Sequence, residues 1–279
     1  MACNNFQDYN FINFSHSQQI PNTFAVYDER VLKHEERRNK MAQDIFRRYE
    51  KKYRITREQY QHLLSRMITG LIPEPYGKHT ICNVYFDTED FQMIRNSLAR
   101  PVYKEKLRLR SYGTPGNEDM VYLELKKKFD GVVYKRRVMM KYIDAKKYLY
   151  DGIRPPADSQ ILREIDYALK FYQAHPAVYL AYERIAFSGR ENSDLRITFD
   201  MNIRARQHAA ELGKGSYGTV LLDKGSLLME VKIPGAMPVW MSRLFSELQI
   251  YPISFSKYGT YYQDYIAGNH KKQGGEICA

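Results

Sequence analysis

The chain has 279 residues, of which 44% are hydrophobic, and this composition argues against a disordered protein. The 43 Lys and Arg residues outnumber the 32 Asp and Glu residues, and the net charge of +11 favours an anionic partner. Only three cysteines are present and the histidines lack metal-ligand spacing, so neither a disulfide framework nor a zinc site is expected. With no signal-peptide pattern and no run of 18 apolar residues, we expect a cytoplasmic protein without a transmembrane segment.

The amino-terminal region differs in composition from the rest of the chain. Residues 1–25 are rich in Asn, Gln, Ser and Phe, and residues 27–48 carry a thin apolar stripe at helical spacing. We therefore expect residues 1–43 to form an arm and a helix. The main domain is expected to span residues 44–267, with a disordered tail at 268–279.

From Tyr49 onward the chain alternates between strand and helix patterns. Period-two alternation predicts eight strands, at residues 49–55, 80–87, 102–111, 120–128, 132–141, 177–187, 194–201 and 227–233. Helical spacing predicts helices after Thr56, at 89–97, 143–150, 159–174 and 238–248, and again after Ser256. Thr56 and Gln59 have the spacing of a capping box, and Asp130-Gly131 is typical of a tight hairpin turn.

Charged residues occupy every second position in five otherwise apolar runs. The runs are Glu50-x-Lys52-x-Arg54, Lys104-x-Lys106-x-Arg108-x-Arg110, Glu124-x-Lys126-x-Lys128, Arg196-x-Thr198-x-Asp200 and Glu230-x-Lys232. In a strand this spacing directs the charges to one face of the sheet. We expect an α+β fold whose antiparallel sheet closes on itself, with the charged face inside and helices outside. A charged interior is costly unless it holds a polyanion and a metal, so the pattern indicates a phosphate-binding tunnel.

A glycine-rich segment invites a different interpretation. Residues Gly213 to Val220 match the kinase pattern GxGxxGxV, and Lys232 lies on a later strand. The HRD and DFG loops of a kinase are missing, and too little chain follows Lys232 to hold them. The glycines are therefore expected to form a loop between two strands.

Nine motifs in order carry a family resemblance. They are YEKKY, NVYFDT, KLRLRSY, ELKKK, KRRV, YERIAF, LRITFD, EVK and FSKY, which begin at residues 49, 83, 106, 124, 135, 182, 195, 230 and 255. Together they resemble the VTC domain, the polyphosphate polymerase branch of the triphosphate tunnel metalloenzymes. The resemblance implies a closed tunnel of eight antiparallel strands. It also implies transfer of the terminal phosphoryl group of ATP to a growing polyphosphate chain.

The resemblance assigns roles to particular residues. Catalytic basic residues are implied at Lys52, Arg108, Arg110, Lys126, Arg184, Arg196 and Lys257. Substrate-binding residues are implied at Lys128, Lys135, Arg137, Tyr182, Lys232 and Ser256. A metal site for Mn²⁺ or Mg²⁺ is implied at Glu230, with Glu124 and Glu50 as further candidates, since hard carboxylate oxygens suit these ions. Tyr85 is expected to be a packing residue.

Two other functions remain open on the sequence. One is a hydrolase or cyclase of the same tunnel fold, although the tunnel hydrolases usually begin with two acids where this chain has only Glu50. The other is a non-catalytic module that binds polyphosphate or RNA. As partners we expect ATP and polyphosphate and no specific nucleic acid. Export of the product would require a separate membrane protein.

Overall fold

The computed structural model describes residues 49–67 and 70–268. The predicted arm and helix at residues 1–43 lie outside this part of the chain, as does the predicted tail apart from Gly268. The described residues from Tyr49 onward belong to one compact unit.

Within the described residues, one sheet contains eleven strands. They are β1 (Tyr49–Thr56), β2 (Leu71–Pro73), β3 (His79–Asp87), β4 (Tyr103–Tyr112), β5 (Met120–Phe129), β6 (Val132–Lys141), β7 (His175–Gly189), β8 (Arg196–Arg206), β9 (Thr219–Val220), β10 (Ser226–Ile233) and β11 (Pro252–Ile253). All eight predicted strands are present. The three additional strands, β2, β9 and β11, are two or three residues long, too short to show a period-two pattern.

Six α-helices accompany the sheet in the described part of the chain. They are α1 (Arg57–Met67), α2 (Gln92–Leu98), α3 (Tyr142–Leu149), α4 (Gln160–Tyr172), α5 (Val239–Glu247) and α6 (Lys257–Tyr261). A 3₁₀ turn at Leu212–Lys214 and a π-helical segment at Tyr262–Ala267 complete the list. The α+β class and the antiparallel pairing agree with the sequence prediction.

The prediction of a closed, eight-stranded sheet was wrong in strand number and in closure. Neighbouring strands follow the order β11-β1-β10-β8-β7-β3-β4-β5-β6, and among the described residues no hydrogen-bonded ladder joins β6 to β11. Two features of β11 explain the open edge. The strand pairs with β1 through only two residues, and one of them, Pro252, has no amide hydrogen with which to extend a ladder.

Two apolar clusters cover the outer face of the sheet. Leu107, Leu109 and Leu123 pack with residues of α3 and α4, while Ile197 and Phe199 pack with residues of α1 and α5. These positions alternate with the charged residues of the same strands, as the period of two requires. These helices therefore pack on the apolar, outer face of the sheet, and the charged side chains point to the inner, concave side.

A third apolar cluster lies on the same face of β7 as the charged residues. Val178, Leu180 and Tyr182 share that face because they occupy alternate positions, and they cluster with Ile94 of α2 and Tyr258 of α6. Helices α2 and α6 thus pack against the inner side of the sheet. As a result, the amino-terminal end of α6 reaches the charged residues.

Asp87, at the end of β3, ties these two helices together. Its buried carboxylate accepts hydrogen bonds from the amides of Met93 (2.8 Å) and Ile94 (3.0 Å) in α2 and from the hydroxyl of Tyr258 in α6 (2.8 Å). Burial raises the pKa of Asp87 in spite of these donors. The position of Lys257, next to Tyr258, therefore depends on a carboxylate at the far end of another strand.

The glycine-rich loop is structural, as expected. The guanidinium of Arg206 lies 3.6 Å from the ring centroid of Tyr179 and 4.0 Å from that of Tyr217, and it donates to the Tyr217 carbonyl at 2.7 Å. At Gly218 a Cβ would come within 2.6 Å of the carbonyl oxygen of Ala205 in β8. Glycine is needed there so that the loop can approach the strand.

Both predicted local motifs are present. Asp130 and Gly131 have φ values of 42° and 82° and join β5 to β6, as the type I′ turn requires. In the capping box the amide of Thr56 donates to Gln59 Oε1 at 2.9 Å, and the amide of Gln59 donates to Thr56 Oγ1 at 3.1 Å. This reciprocal pair fixes the point at which β1 becomes α1.

The capping box provides a test of the fold. We predict that Thr56→Ala lowers the free energy of unfolding by about 1 kcal/mol, because an amide at the start of α1 loses its acceptor. Thr56→Ser, which keeps the hydroxyl, should unfold at nearly the same denaturant concentration as the unchanged protein. Chemical denaturation followed by circular dichroism measures both, and equal stability of the alanine variant would contradict the assignment.

Candidate functional site

The charged face of the sheet gathers most of the predicted site residues. The side chains on this face that come from predicted site positions are Glu50, Lys52, Arg108, Arg110, Glu124, Lys126, Lys128, Lys135, Arg137, Tyr182, Arg184, Arg196, Glu230 and Lys232. The face is concave, since side chains from strands distant in the strand order lie close together: Lys106 of β4 donates to Ser256, which follows β11, at 3.4 Å. Burial lowers the pKa of Lys106 and of Lys126, and Lys52 and Glu50 of β1 act on these lysines from the facing strand.

Asp200 of β8 organises one group of cations. Its fully buried carboxylate accepts two hydrogen bonds from Arg184, at 2.6 and 2.8 Å, and lies 2.6 Å from Lys257 Nζ. Burial alone would raise the pKa of Asp200, but the Lys257 ammonium and the Arg184 guanidinium hold it below its usual value. The Tyr182 ring lies beneath both cations, at 5.1 Å from Arg184 and 4.5 Å from Lys257. These contacts fix the two cations before any ligand arrives.

Arg110 of β4 is held by neutral groups. Its Nε donates to Asn83 Oδ1 at 2.9 Å, and its Nη2 donates to the Tyr182 hydroxyl at 3.3 Å. No carboxylate among the described residues forms an ion pair with this buried guanidinium. Its charge is therefore available to an anion in the concavity.

Glu124 of β5 holds a second group of cations. Arg108 Nε, Arg137 Nη2 and Lys135 Nζ approach its carboxylate to 2.7, 2.6 and 2.9 Å. Burial would raise the pKa of Glu124, but Arg108, Arg110 and their neighbours hold it well below its usual value. The pKa of Lys135 is lowered to about 8, mainly by burial. Because three cations surround Glu124, the geometry favours a role in positioning Arg108 over a role as a metal ligand.

Glu230 and Glu50 lie on neighbouring strands near the same lysine. Lys232 Nζ is 3.0 Å from Glu230 and 3.8 Å from Glu50, and Lys52 Nζ is 3.2 Å from Glu50. Burial would raise the pKa of Glu230, but Lys232, Lys257 and Arg184 hold it well below its usual value. Glu230 is therefore ionised, and the two acids, which share Lys232 as a partner, lie close enough to contribute to one cation site.

These residues fit a divalent metal in part. Among the described residues, no group of three His, Cys, Asp or Glu side chains has the arrangement of a metal site. However, Thr198, which faces Glu230 in the β8–β10 register, is buried, and its hydroxyl finds no hydrogen-bond partner in the described part of the chain. Mg²⁺ commonly uses one or two carboxylates and completes its shell with water and phosphate oxygens. Glu230, with Glu50 and Thr198 beside it, matches that kind of donor set.

Two further predicted residues, Arg196 and Ser256, have partners outside the Asp200 and Glu124 groups. Arg196 forms a two-pronged ion pair with Glu74, at 2.7 and 2.8 Å, and it faces Lys232 in the strand register. Ser256 acts as the amino-terminal cap of α6 by accepting from the Gly259 amide at 3.1 Å, and it receives a long hydrogen bond of 3.4 Å from Lys106. Ser256 thus links the predicted lysine of α6 to the lysines of β4.

Several residues of the site were missed as functional candidates. Tyr85, expected to pack, accepts a hydrogen bond from Arg108 at 3.2 Å, and Arg108 and Lys106 outweigh the effect of burial so that its pKa falls to about 8. Asp200 and Lys106 belong to the alternating runs, so their spacing already placed them on the charged face. Asn83 belongs to the NVYFDT motif, but its contact with Arg110 requires the pairing of β3 with β4.

No helix in the described part of the chain is both long and apolar enough to cross a membrane. The described helices are instead short and lie against the sheet.

Comparison with known proteins gives one strong match. A model of the VTC domain family matches residues 47–265, whereas no curated protein matches the chain. Among solved structures, the chain resembles a candidate adenylate cyclase from Bacillus halodurans with 16% identity and a TM-score of 0.48, over 78% of this chain and 96% of that one. It also resembles the Mimivirus capping enzyme triphosphatase, with 10% identity and a TM-score of 0.31, over 81% and 95% of the two chains.

Both structural likenesses are weak, so the family assignment depends on the domain match. That match covers most of the chain and includes every strand of the sheet. The nine ordered motifs also fall within the matched residues. The chain belongs to the VTC domain family.

Proposed function

We propose that this protein is a metal-dependent polyphosphate polymerase, a phosphotransferase that moves the terminal phosphoryl group of ATP onto a growing polyphosphate chain. One observation carries the proposal: on the concave face, cations outnumber carboxylates, and the carboxylates hold the cations in place. We further propose that residues 44–267 form the catalytic domain and that the enzyme acts on ATP in the cytoplasm.

The arginines and lysines would act by binding and orienting phosphate. Phosphoryl transfer demands little covalent chemistry from a protein, and its rate depends on positioning and on neutralising charge in the transition state. Arg184 and Lys257 are fixed by Asp200, and Arg108 is fixed by Glu124. Because these cations are held before substrate binds, little reorganisation is needed when the charge on the transferred group changes.

A divalent ion would be held by Glu230, with Glu50 and Thr198 beside it. When bound, it would neutralise phosphate oxygens and help to orient the terminal phosphate. The remaining contacts with the phosphates would come from the side chains of this protein. Arg110 suits a phosphate contact especially well, since its charge has no carboxylate partner among the described residues.

The electrostatics favour transfer to a phosphate chain over transfer to water. The pKa values of Asp200, Glu124 and Glu230 are all lowered, so these carboxylates are poor bases for activating a water molecule. An acceptor polyphosphate is already anionic and needs only to be held in line. The single acid of the β1 run is a further difference from the two acids that usually open the tunnel hydrolases.

The direct test is a product analysis. Purified protein incubated with ATP and Mn²⁺ or Mg²⁺ should release ADP and form a polymer that is visible on a gel stained for polyphosphate. Release of orthophosphate without polymer would identify a triphosphatase instead. Formation of a cyclic nucleotide and pyrophosphate would identify a cyclase.

Glu230 provides a test of the metal site. We predict that Glu230→Gln abolishes turnover while the protein stays folded, because an amide cannot replace the charge of the carboxylate. In the presence of a non-hydrolysable ATP analogue, Mn²⁺ should raise the melting temperature of the unchanged protein but not that of the variant. Glu118→Gln, which removes an exposed acid paired with Lys141, is the control. Normal metal-dependent activity in the Glu230 variant would rule out its role as a ligand.

Arg110 provides a test of the phosphate cradle. We predict that Arg110→Ala lowers kcat/KM for ATP at least about tenfold, since losing one charge-assisted hydrogen bond costs roughly 1.5–3 kcal/mol. Stability should also fall, because Asn83 and Tyr182 lose a partner. Arg136→Ala removes a cation on the opposite face of the sheet, where Glu164 lies 3.4 Å away, and should leave kcat/KM nearly unchanged. Steady-state kinetics of the two variants decides between a substrate contact and a general effect of charge.

A further inference from the structure

Four lysines face one another along the inner side of β4 and β5. In the antiparallel register, Lys106 lies opposite Lys126, and Lys104 lies opposite Lys128. These four residues, the lysine ladder, continue the row that begins with Arg110 opposite Tyr122 and Arg108 opposite Glu124. From Arg110 to Lys104 the basic residues of β4 change from arginines held by hydrogen-bond partners to lysines that lie opposite other lysines.

In the described structure, the ammonium groups of the lysine ladder have no close carboxylate partners. Within the described residues, none of its four ammonium groups has a carboxylate within 4.0 Å; Lys104 donates to the Ser97 carbonyl at 3.2 Å and Lys106 to the Ser256 hydroxyl at 3.4 Å. On the outer face of the same strands the situation is reversed. There Lys127 lies 3.6 Å from Glu105 and 4.0 Å from Glu164. Among the described residues, the lack of close carboxylates is therefore a property of this stretch of the inner face, and not of β4 and β5 as a whole.

Placing these lysines together makes the protonated, charged form of each one less stable. Like charges directly opposite each other destabilise a strand pair. Burial lowers the pKa of Lys104, of Lys126 and of Lys106, the last to about 8, and neighbouring cations add to this effect, whereas Glu50 opposes it at Lys126 and Tyr85 opposes it at Lys106. Lys257, which has Asp200 as a partner, shows a raised pKa in spite of its burial. The ladder thus carries positive charge that a bound anion would neutralise.

We propose that the lysine ladder is the subsite that holds the polyphosphate chain, while the arginines fixed by Glu124 and Asp200 hold the triphosphate of the nucleotide. The inference rests on the proposed polymerase function and deepens it. The ladder advances about 7 Å along β4, from Lys104 to Lys106, and it continues the arginine row, so that the whole row from Arg110 to Lys104 extends over about 20 Å of strand. A row of this length suits a nucleotide triphosphate with an extended anion in line beyond it better than it suits a single triphosphate.

The type of cation supports this division. A guanidinium is planar and can bind one phosphate group in a fixed two-pronged geometry, which suits a group that must be held in register for transfer. An ammonium on a flexible stem binds as a point charge and accepts many phosphate positions. A chain that moves as it grows requires the second kind of contact.

The test compares two ligands and two variants without turnover. Binding of long-chain polyphosphate and of a non-hydrolysable ATP analogue is measured by calorimetry for Lys104→Met/Lys128→Met. The control, Lys127→Met/Arg136→Met, removes two cations from the outer face. We expect the ladder variant to lose at least tenfold in affinity for polyphosphate and less than threefold for the analogue. The control should bind both ligands as the unchanged protein does.

Salt dependence and a second variant strengthen the test. The slope of log affinity against log salt concentration should become shallower by about 1.5 in the ladder variant, because two phosphate contacts are lost. Lys126→Met alone removes an ammonium without a hydrogen-bond partner among the described residues, so it can be made without loosening the fold. It should also weaken polyphosphate binding more than binding of the analogue.

Three results would overturn the inference: unchanged polyphosphate affinity in the ladder variant, an equal loss for both ligands, or equally tight binding of single-stranded RNA of the same charge. The outcome is separable from that of the proposed function. Ladder-dependent polyphosphate binding by a protein that forms no polymer from ATP would support the subsite and reject the polymerase. Polymer formation from ATP, together with unchanged polyphosphate binding by the ladder variant, would support the polymerase and reject the subsite.

Discussion

The structure depends on the way in which like charges are kept together on the inside of a curved sheet. Cations on adjacent strands repel one another, and burial makes each of them harder to ionise. Two buried carboxylates offset much of this cost. Asp200 holds Arg184 and Lys257, whereas Glu124 holds Arg108, Lys135 and Arg137. Both acids lie on strands, so the positions of the cations are set by the sheet itself.

The same constraint explains why the acidic residues of the inner face have different roles. Asp200 and Glu124 are surrounded by cations and stabilise the fold of the inner face. Glu230 and Glu50 are more exposed than Asp200 and Glu124, and they share Lys232 as a partner. Carboxylates therefore serve as internal counter-ions where they are almost fully buried and as candidate metal ligands where they remain accessible from the concavity.

Much of the architecture follows from local patterns. The period of two in Lys104 to Arg110 identified both the strand and its charged face, because alternation is a property of neighbouring residues. The pairing of charges was not predictable in the same way, since Arg196 meets Glu74 across 122 positions in the sequence. Closure of the sheet was predicted both from the alternating charges and from the family resemblance, and it proved wrong, because closure depends on the short strand that contains Pro252. Chain order alone carries no information on such distant contacts.

The open edge of the sheet has a consequence for any long ligand. Inside the described part of the chain, no ladder hydrogen bonds connect β6 with β11, so these two edges can move apart without breaking backbone pairing. A fully hydrogen-bonded barrel would admit a polymer only at its ends. Here the described strands leave a seam between β6 and β11, and for the polyphosphate ligand proposed above this seam would allow entry from the side, with the middle of the chain first.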